Sequence, residues 1–238
     1  MKRFKFAFAV VAVVMTGIFL IGCDNAPGNN IDEPQVDNYH VKLVCFGDSL
    51  TAGYGAGGPG VEDREKSYPA YLQKKVNITV INKGVSGDTT AQGLARIDAD
   101  VISEDPQIVI VELGANDFLQ LTLLETTSDN LHSIISLLDN GNRKIYVAKF
   151  WTEAVAQGLA ASHGIPSEAL APIIEYYDNM FNSLVSPNVE LIEDIWAQVW
   201  GRFMSDNGHP NATGYSIMAD NYFNALKPYL RANNWTLK

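Results

Sequence analysis

Residues 41–50 read VKLVCFGDSL and join an apolar run to a small polar turn that contains a serine. The run from Val41 to Phe46 is short and rich in β-branched and aromatic residues, which predicts a buried strand. Ser49 follows directly where that strand ends. Ligands bind at the carboxyl ends of strands in an open α/β sheet. Ser49 is therefore a candidate nucleophile, and the chain must then supply a base, a group that orients the base, and oxyanion donors.

The rest of the chain alternates between apolar runs and longer amphipathic stretches. Four further runs predict strands: Ile78–Ile81, Ile108–Val111, Ile145–Ala148 and Val189–Ile192. The amphipathic stretches predict helices: Tyr68–Val76, Thr89–Ser103, Leu123–Leu138, Ser167–Val185 and Asn211–Leu230. This alternation predicts βαβ units and a parallel sheet with helices on both faces. The stretch Trp151–Pro166 has the least definite pattern.

The N-terminal segment has the order of a bacterial export signal. Basic residues within positions 2–5 precede an uncharged apolar segment, Phe6–Ile21, which is shorter than the roughly 20 residues of a spanning helix. Its end, Leu20-Ile21-Gly22-Cys23, resembles the lipobox, in which the cysteine is lipidated and becomes the first residue of the mature chain. We expect residues 1–22 to be a lipoprotein signal peptide, with an uncleaved anchor helix as the alternative. Both place the protein in the cell envelope, held at a membrane.

Composition and charge limit the remaining possibilities. The polar residues 23–40 contain prolines and a glycine and predict a flexible tether, so the folded domain is expected to span 41–238. After removal of residues 1–22, 14 basic and 27 acidic residues remain, a formal charge of −13. The absence of a basic stripe argues against a nucleic-acid partner. Cys45 would have no intramolecular partner, and we expect it to be a small buried hydrophobe.

Polar residues that follow the predicted strands can supply the base, the orienting group and the oxyanion donors. Gly87 follows the second strand and precedes a helix, so its N–H can face an anion. Asn116 follows the third strand, and its side chain can donate to an oxyanion. Asp206 precedes His209 by three residues in a glycine-containing turn, where its carboxylate can bond the imidazole Nδ1–H and leave Nε2 facing the serine.

These residues form four blocks that resemble the GDSL, or SGNH, hydrolases: Gly47-Asp48-Ser49-Leu50, Gly87, Gly114-Ala115-Asn116-Asp117 and Asp206-Asn207-Gly208-His209-Pro210. The fuller phrases, such as GDSLTAGYG, are similar to the bacterial multifunctional thioesterase, lysophospholipase and arylesterase branch. The resemblance implies a three-layer αβα, flavodoxin-like fold with a five-stranded parallel sheet in the order 2-1-3-4-5. It also implies roles: Ser49 as nucleophile, His209 as general base and then acid, Asp206 as its orienting partner, and Ser49, Gly87 and Asn116 as the oxyanion hole.

Other residues have plainer interpretations. We expect Asp48 to brace its loop and Asp117 to cap or brace a helix. No histidine has partners at metal-ligand spacing, so neither a metal nor a cofactor is predicted. The glycine-rich stretch Gly55–Gly60 matches G-x-G-x-x-G, but no helix follows it directly, which favours a flexible insertion over a nucleotide site. This insertion, Ala56–Lys66, and the segment Lys149–Pro166 depart from the branch pattern, and both are expected near the acyl group of the substrate.

The sequence thus predicts a serine hydrolase that cleaves carboxylic esters or thioesters through an acyl-enzyme. Its substrate would be a small-molecule or lipid ester, and its membrane contact would be the lipidated Cys23. Two alternatives stay open. One is a carbohydrate O-acetylesterase, and the other is a lipid-anchored binding protein whose hydrolase site is vestigial. Oligomeric state cannot be read from the sequence.

Overall fold

A computed structural model of the chain describes residues 38–163 and 166–236. The predicted signal peptide, Cys23 and most of the tether lie outside the described residues. Five parallel strands form one sheet in the order β2-β1-β3-β4-β5, which confirms the predicted topology. The strands are β1 Asn38–Gly47, β2 Ile78–Gly84, β3 Ile108–Glu112, β4 Lys144–Ala148 and β5 Val189–Ile192.

The central strands are buried on both faces, which explains their unbroken apolar runs. Residues 43–46 of β1 are fully buried, as are residues 108–111 of β3. The register pairs Gly47 of β1 with Gly84 of β2 on one side and with Glu112 of β3 on the other. Three strands therefore end side by side, and the loops that follow them meet at one edge of the sheet.

The first strand begins earlier than the sequence pattern indicates. It starts at Asn38 rather than Val41, and the Asn38 N–H donates to the Asn77 carbonyl at 3.0 Å. Residues 38–40 are polar or exposed, so they add no apolar signal to the run. Backbone pairing extends the strand where side-chain burial does not.

Eight α-helices connect and cover the strands of the described chain: α1 Ser49–Ala52, α2 Tyr68–Gln73, α3 Thr90–Asp100, α4 Ala115–Leu119, α5 Leu124–Leu138, α6 Glu153–His163, α7 Leu170–Ser183 and α8 Ala212–Ala232. The predicted helices are confirmed, with ends that differ by a few residues. Three helices were not predicted: α1 and α4, which are short, and α6, which fills a segment without a definite pattern. Right-handed crossovers place α2 on the opposite face from α3, α5 and α7. Accordingly, α2 packs against α8 and α3 packs against α5, which gives three layers.

Two helix starts position the loops of the site. Thr89 caps α3 in a capping box with Gln92, so α3 begins immediately after the loop that contains Gly87. Asn211 caps α8 by accepting from the Gly214 N–H, so α8 begins immediately after His209 and Pro210. Cys45 is buried and free, as predicted. Across 38–163 and 166–236, every helix is too short or too polar to cross a membrane.

Candidate active site

Ser49 lies at the sharp turn from β1 into α1. Asp48 caps α1, and its Oδ1 accepts from the Leu50 N–H at 3.0 Å. Gly47 has no room for a side chain, because a Cβ there would lie 2.6 Å from the Glu112 carbonyl oxygen. Close packing of the strand ends and a capped first turn therefore hold Ser49 at the edge of the sheet.

His209 and Asp206 are adjacent to Ser49, although 160 residues separate the histidine from the serine in the chain. The Ser49 Oγ lies 2.9 Å from the His209 Nε2. On the other side of the ring, Nδ1 lies 2.9 Å from Asp206 Oδ1 and 3.0 Å from Oδ2. The three side chains thus form a continuous chain of hydrogen bonds, in the arrangement that the spacing of Asp206 and His209 predicts.

The local backbone keeps the Asp206 carboxylate ionised. Burial raises the pKa of Asp206, but N–H donors of Gly208 and His209 and the nearby imidazole more than offset this, so its pKa is below the ordinary value. Asp206 Oδ1 accepts from the Gly208 N–H at 2.8 Å and from the His209 N–H at 2.7 Å. One short turn therefore both orients the carboxylate and stabilises its charge.

Tyr54 supports the histidine from its other side. The Tyr54 ring lies 4.6 Å from the His209 ring, tilted by 56°. The Tyr215 hydroxyl of α8 donates to the Tyr54 carbonyl at 2.8 Å, which ties this loop to the C-terminal helix. The adjacent Gly55 has a φ of +85°, and a Cβ there would lie 2.9 Å from the Pro210 carbonyl oxygen. The glycine-rich loop thus packs behind the histidine.

The three predicted oxyanion donors lie in loops at the same sheet edge. Asn116 lies at the start of α4, and its Nδ2 is 3.1 Å from Asp48 Oδ2 and 3.0 Å from the Asp88 carbonyl oxygen. Within the described chain, the N–H groups of Ser49 and Gly87 have no hydrogen-bond acceptor. Gly87 is exposed with a φ of +90°, in the left-handed region that favours glycine.

Beneath the serine lies a buried pair of carboxyl groups, Asp48 and Glu112. Both are at most 1% exposed. Burial raises the pKa of Asp48 to about 7, because the donated Leu50 and Glu112 hydrogen bonds only partly offset it. Burial and the neighbouring Asp48 raise the pKa of Glu112 well above its usual range. Thr51 donates to Glu112 Oε2 at 3.1 Å. As predicted, Asp48 is a bracing residue, since it holds both α1 and the Asn116 amide.

Arg96 of α3 links the loops that carry the site. Its guanidinium donates to Asp88 at 2.6 Å and to the Gly47 carbonyl at 2.9 Å, and it lies 4.3 Å from the Phe46 ring centre. It therefore contacts the end of β1 and the loop after β2 at once. We refer to Asp48, Arg96, Glu112 and Asn116 together as the polar cluster. Asp117 braces α3, as predicted, by accepting from the Thr90 N–H.

A cavity of about 90 Å³ adjoins Ser49, Asn116 and His209. Its far side is apolar and is lined by Leu119, Phe150, Val155, Trp196 and Trp200. We refer to Phe150, Trp196 and Trp200 as the aromatic wall. The expectation that Lys149–Pro166 lies by the acyl group agrees with this lining, since Phe150 and Val155 belong to that segment. For Ala56–Lys66 the lining does not agree with the expectation: none of its residues lines this cavity, and Arg64 and Glu62 contact the end of β2 and the loop after it.

Reasoning from the sequence missed Trp196, Trp200 and Arg96. The two tryptophans lie between β5 and α8, where neither helical nor strand periodicity marks a buried side chain. Arg96 is an ordinary polar position on an amphipathic helix, and only the packing of α3 against the strand ends reveals its contacts. Within 38–163 and 166–236, no three potential ligands lie close enough together to hold a metal ion.

The geometry suits acyl transfer. A hydroxyl, an imidazole and a carboxylate lie in line, and the Asn116 amide lines the same cavity as the hydroxyl. The apolar cavity next to them can take the acyl part of a substrate, and a bound acyl group would have its carbonyl near Ser49.

Comparison with known proteins gives a consistent result. The chain matches the GDSL-like Lipase/Acylhydrolase family over residues 45–217. It is 30% identical over 190 residues to thioesterase 1/protease 1/lysophospholipase L1 of Escherichia coli, covering 78% of this chain and 83% of that protein. It is 38% identical over 109 residues to an arylesterase of Vibrio mimicus, covering 44% of this chain and 52%, about half, of that relative.

The fold agrees with a solved structure. The crystal structure of TesA superimposes with a TM-score of 0.64 at 25% sequence identity, covering 79% of this chain and 98% of TesA. The match therefore extends over nearly all of TesA.

Proposed function

The chain belongs to the GDSL-like lipase/acylhydrolase family and is an ester hydrolase, and we propose that it cleaves esters and thioesters through an acyl-enzyme on Ser49. The single observation that supports this mechanism is the unbroken chain of hydrogen bonds from Ser49 through His209 to Asp206. The names of the relatives suggest aryl esters, acyl thioesters and lysophospholipids as substrate classes.

In the first half of the reaction, the Ser49 Oγ–H bond breaks and its proton moves to His209 Nε2. The Ser49 Oγ attacks the substrate carbonyl, and the N–H groups of Ser49 and Gly87 and the Asn116 amide stabilise the oxyanion. Asp206 holds the Nδ1–H and stabilises the imidazolium. The carbon–oxygen or carbon–sulfur bond then breaks, and His209 gives its proton to the leaving alcohol or thiol.

In the second half, water attacks the ester that joins the acyl group to Ser49. His209 takes a proton from the water, the same donors stabilise the second oxyanion, and the free acid leaves as the Ser49 Oγ recovers its proton. No redox step is required, since both halves exchange only acyl groups and protons.

The test is Ser49→Ala on p-nitrophenyl acetate and butyrate. We expect kcat to fall by about 10³-fold or more, because the nucleophile is lost. The matched control is Ser133→Ala, which removes an exposed serine of α5 and should keep full activity. Turnover by Ser49→Ala equal to that of wild type would rule out the mechanism. A fluorophosphonate probe that fails to label wild-type Ser49 would instead favour a vestigial site in a binding protein.

A second candidate, a carbohydrate O-acetylesterase, is favoured by a groove outside the aromatic wall. The groove has a volume of about 620 Å³ and is lined by Trp196 and Trp200 together with Glu153, Gln157 and Asp194. Aromatic faces beside carboxylate and amide groups suit a sugar hydroxyl surface. Release of acetate from acetylated sugars faster than from p-nitrophenyl acetate would favour this activity, and no release would exclude it.

We also propose that the mature chain is anchored in the cell envelope through lipidated Cys23. The support is the order of basic residues, Phe6–Ile21 and Leu20-Ile21-Gly22-Cys23. Expression with a labelled fatty acid, followed by mass spectrometry, should find acyl groups on wild type and none on Cys23→Ser. Unlabelled wild-type protein would contradict the anchor without affecting the assignment of Ser49.

A further inference from the structure

Trp200 stands between the active-site cavity and two larger grooves. It lines the cavity of about 90 Å³ beside Ser49, a groove of about 370 Å³ that reaches Asp206 and Asn207, and the groove of about 620 Å³ beside α6. Among the residues that the structure describes, Trp200 alone lines all three spaces. The volume open to an acyl chain therefore depends on this one indole.

The indole is held by packing rather than by hydrogen bonds. Trp200 meets Trp196 edge to face, with ring centres 5.1 Å apart at 82°. Trp196 is buried and fixed, since its Nε1 donates to the Phe150 carbonyl at 2.8 Å. Trp200 is half-buried, and no described residue accepts a hydrogen bond from its indole N–H. Its removal would leave no buried polar partner unsatisfied.

Helix α6 has a glycine where the Trp200 ring lies against it. A Cβ at Gly158 would lie 2.7 Å from Trp200 Cζ2, so a side chain at this position would displace the indole. The helix backbone and Trp196 thus confine the ring from two sides. The Trp200 ring forms part of the far side of the cavity.

The cavity is small for a lipid acyl chain. A protein cavity of about 150 Å³ holds benzene, so a cavity of 90 Å³ has room for roughly four carbon atoms. Leu119, Phe150 and Val155 line the far side of the cavity with the tryptophans and make that side apolar. An acyl group of two to four carbons fits, and a longer chain meets the Trp200 ring.

We propose that Trp200 is the residue that restricts this hydrolase to short acyl groups, by separating the acyl cavity from the outer grooves. The inference rests on the proposed acyl-enzyme at Ser49. It assigns a substrate class, short-chain acyl esters and thioesters, and it names the side chain that excludes longer ones. Replacement of Trp200 by a small residue would join the cavity to the grooves and let a longer chain pass.

The experiment compares kcat/KM for p-nitrophenyl esters with acyl chains from acetyl to dodecanoyl in wild type, Trp200→Ala and Trp200→Leu. For wild type, kcat/KM should fall at least ten-fold from the butyryl to the octanoyl ester, because methylene groups that do not fit the cavity weaken binding in the transition state. Trp200→Ala should raise the octanoyl-to-acetyl ratio at least ten-fold, and Trp200→Leu should give an intermediate ratio. The matched control is Trp235→Ala, a half-buried tryptophan that packs on Tyr229 away from the site and should keep the wild-type profile.

The outcomes separate the two proposals. A wild type that hydrolyses none of the esters would contradict the proposed function itself. An active wild type that prefers octanoyl or longer esters, or a folded Trp200→Ala with an unchanged profile, would overturn the inference alone. If Trp200→Ala does not fold by its thermal melting curve, the wild-type profile and Trp200→Leu still decide the question.

Discussion

The two sides of the active-site cavity are built by different physical means. On the side of the strand ends, the polar cluster is tied by hydrogen bonds and ion pairs to the ends of β1 and β3 and to the loop after β2. On the opposite side, the aromatic wall is held by ring contacts, and one side-chain hydrogen bond fixes Trp196. Ser49 lies between the polar cluster and the aromatic wall.

Because of this difference, substitutions on the two sides should have different effects. A buried polar network loses much of its stability when one member is removed, because the partners are left unsatisfied. Apolar packing accepts replacement by other hydrophobic residues of suitable volume at lower cost. We therefore expect changes in the polar cluster to lower stability and to lower activity equally for every substrate. Changes in the aromatic wall should instead alter which substrates are preferred.

Asn116→Ala is the most severe test on the polar side. Loss of one oxyanion donor should lower kcat by about 10²–10³-fold. The loss should be equal for acetyl and octanoyl esters, because every substrate forms the same oxyanion. Steady-state kinetics on both esters provide the measurement. The matched control is Asn207→Ala, which removes an exposed asparagine of the outer groove and should change kcat less than two-fold. A loss of activity that varied with acyl length would mean that Asn116 also selects among acyl chains.

Arg96→Met tests whether the polar cluster also stabilises the fold. The side chain keeps its length but loses its charge, which leaves Asp88 and the Gly47 carbonyl without their donor. We expect the free energy of unfolding to fall by about 2–4 kcal/mol, as measured by urea denaturation.

The comparison for Arg96 is Arg202→Met on the other side of the cavity. Arg202 is exposed and lies 6.0 Å from the Phe203 ring, so its loss should change stability by less than about 0.5 kcal/mol. Equal losses for the two variants would show that Arg96 contributes no more than a surface residue.

Asp48→Asn tests the buried carboxyl pair through the pH dependence of stability. Burial raises the pKa of Asp48 to about 7 in the folded state. The folded state then binds more protons than the unfolded state between pH 4 and 7, so stability is lost as the pH rises through about 7. Between pH 5 and pH 7, the free energy of unfolding should fall by about 1–2 kcal/mol less for Asp48→Asn than for wild type.

Urea unfolding at several pH values measures this difference in slope. The control is Asp194→Asn, which removes an exposed carboxylate beside the aromatic wall and should keep the wild-type slope. Parallel curves for Asp48→Asn and wild type would mean that Asp48 titrates alike in the folded and unfolded states.

Much of the strand-end side can be predicted from the sequence, because its residues belong to short local motifs at the ends of strands. Buried parallel strands give unbroken apolar runs, and polar residues after them stand out. Asp206 and His209 are three residues apart, so their contact needs only one turn. The order of the strands came from family resemblance and not from periodicity, and the described sheet agrees with it.

The aromatic wall could not be predicted in the same way. Phe150 and Trp196 lie in irregular segments that follow β4 and β5, and their contact depends on how two distant loops pack. The same limit explains the error over the glycine-rich loop. The segment Ala56–Lys66 was expected in the acyl site, but its Arg64 and Glu62 contact Gly84 and Ser86 instead.

The 160-residue separation between Ser49 and His209 has a consequence for biosynthesis. At about 5–20 residues per second, a ribosome makes the serine roughly 10–30 s before it makes the histidine. Until α8 emerges, the nascent chain lacks Tyr215, whose hydroxyl holds the loop that supports the imidazole. A prematurely terminated chain would contain Ser49, the proposed nucleophile, without His209, its proposed base. Under the proposed mechanism, hydrolytic activity therefore requires a chain that extends at least to His209.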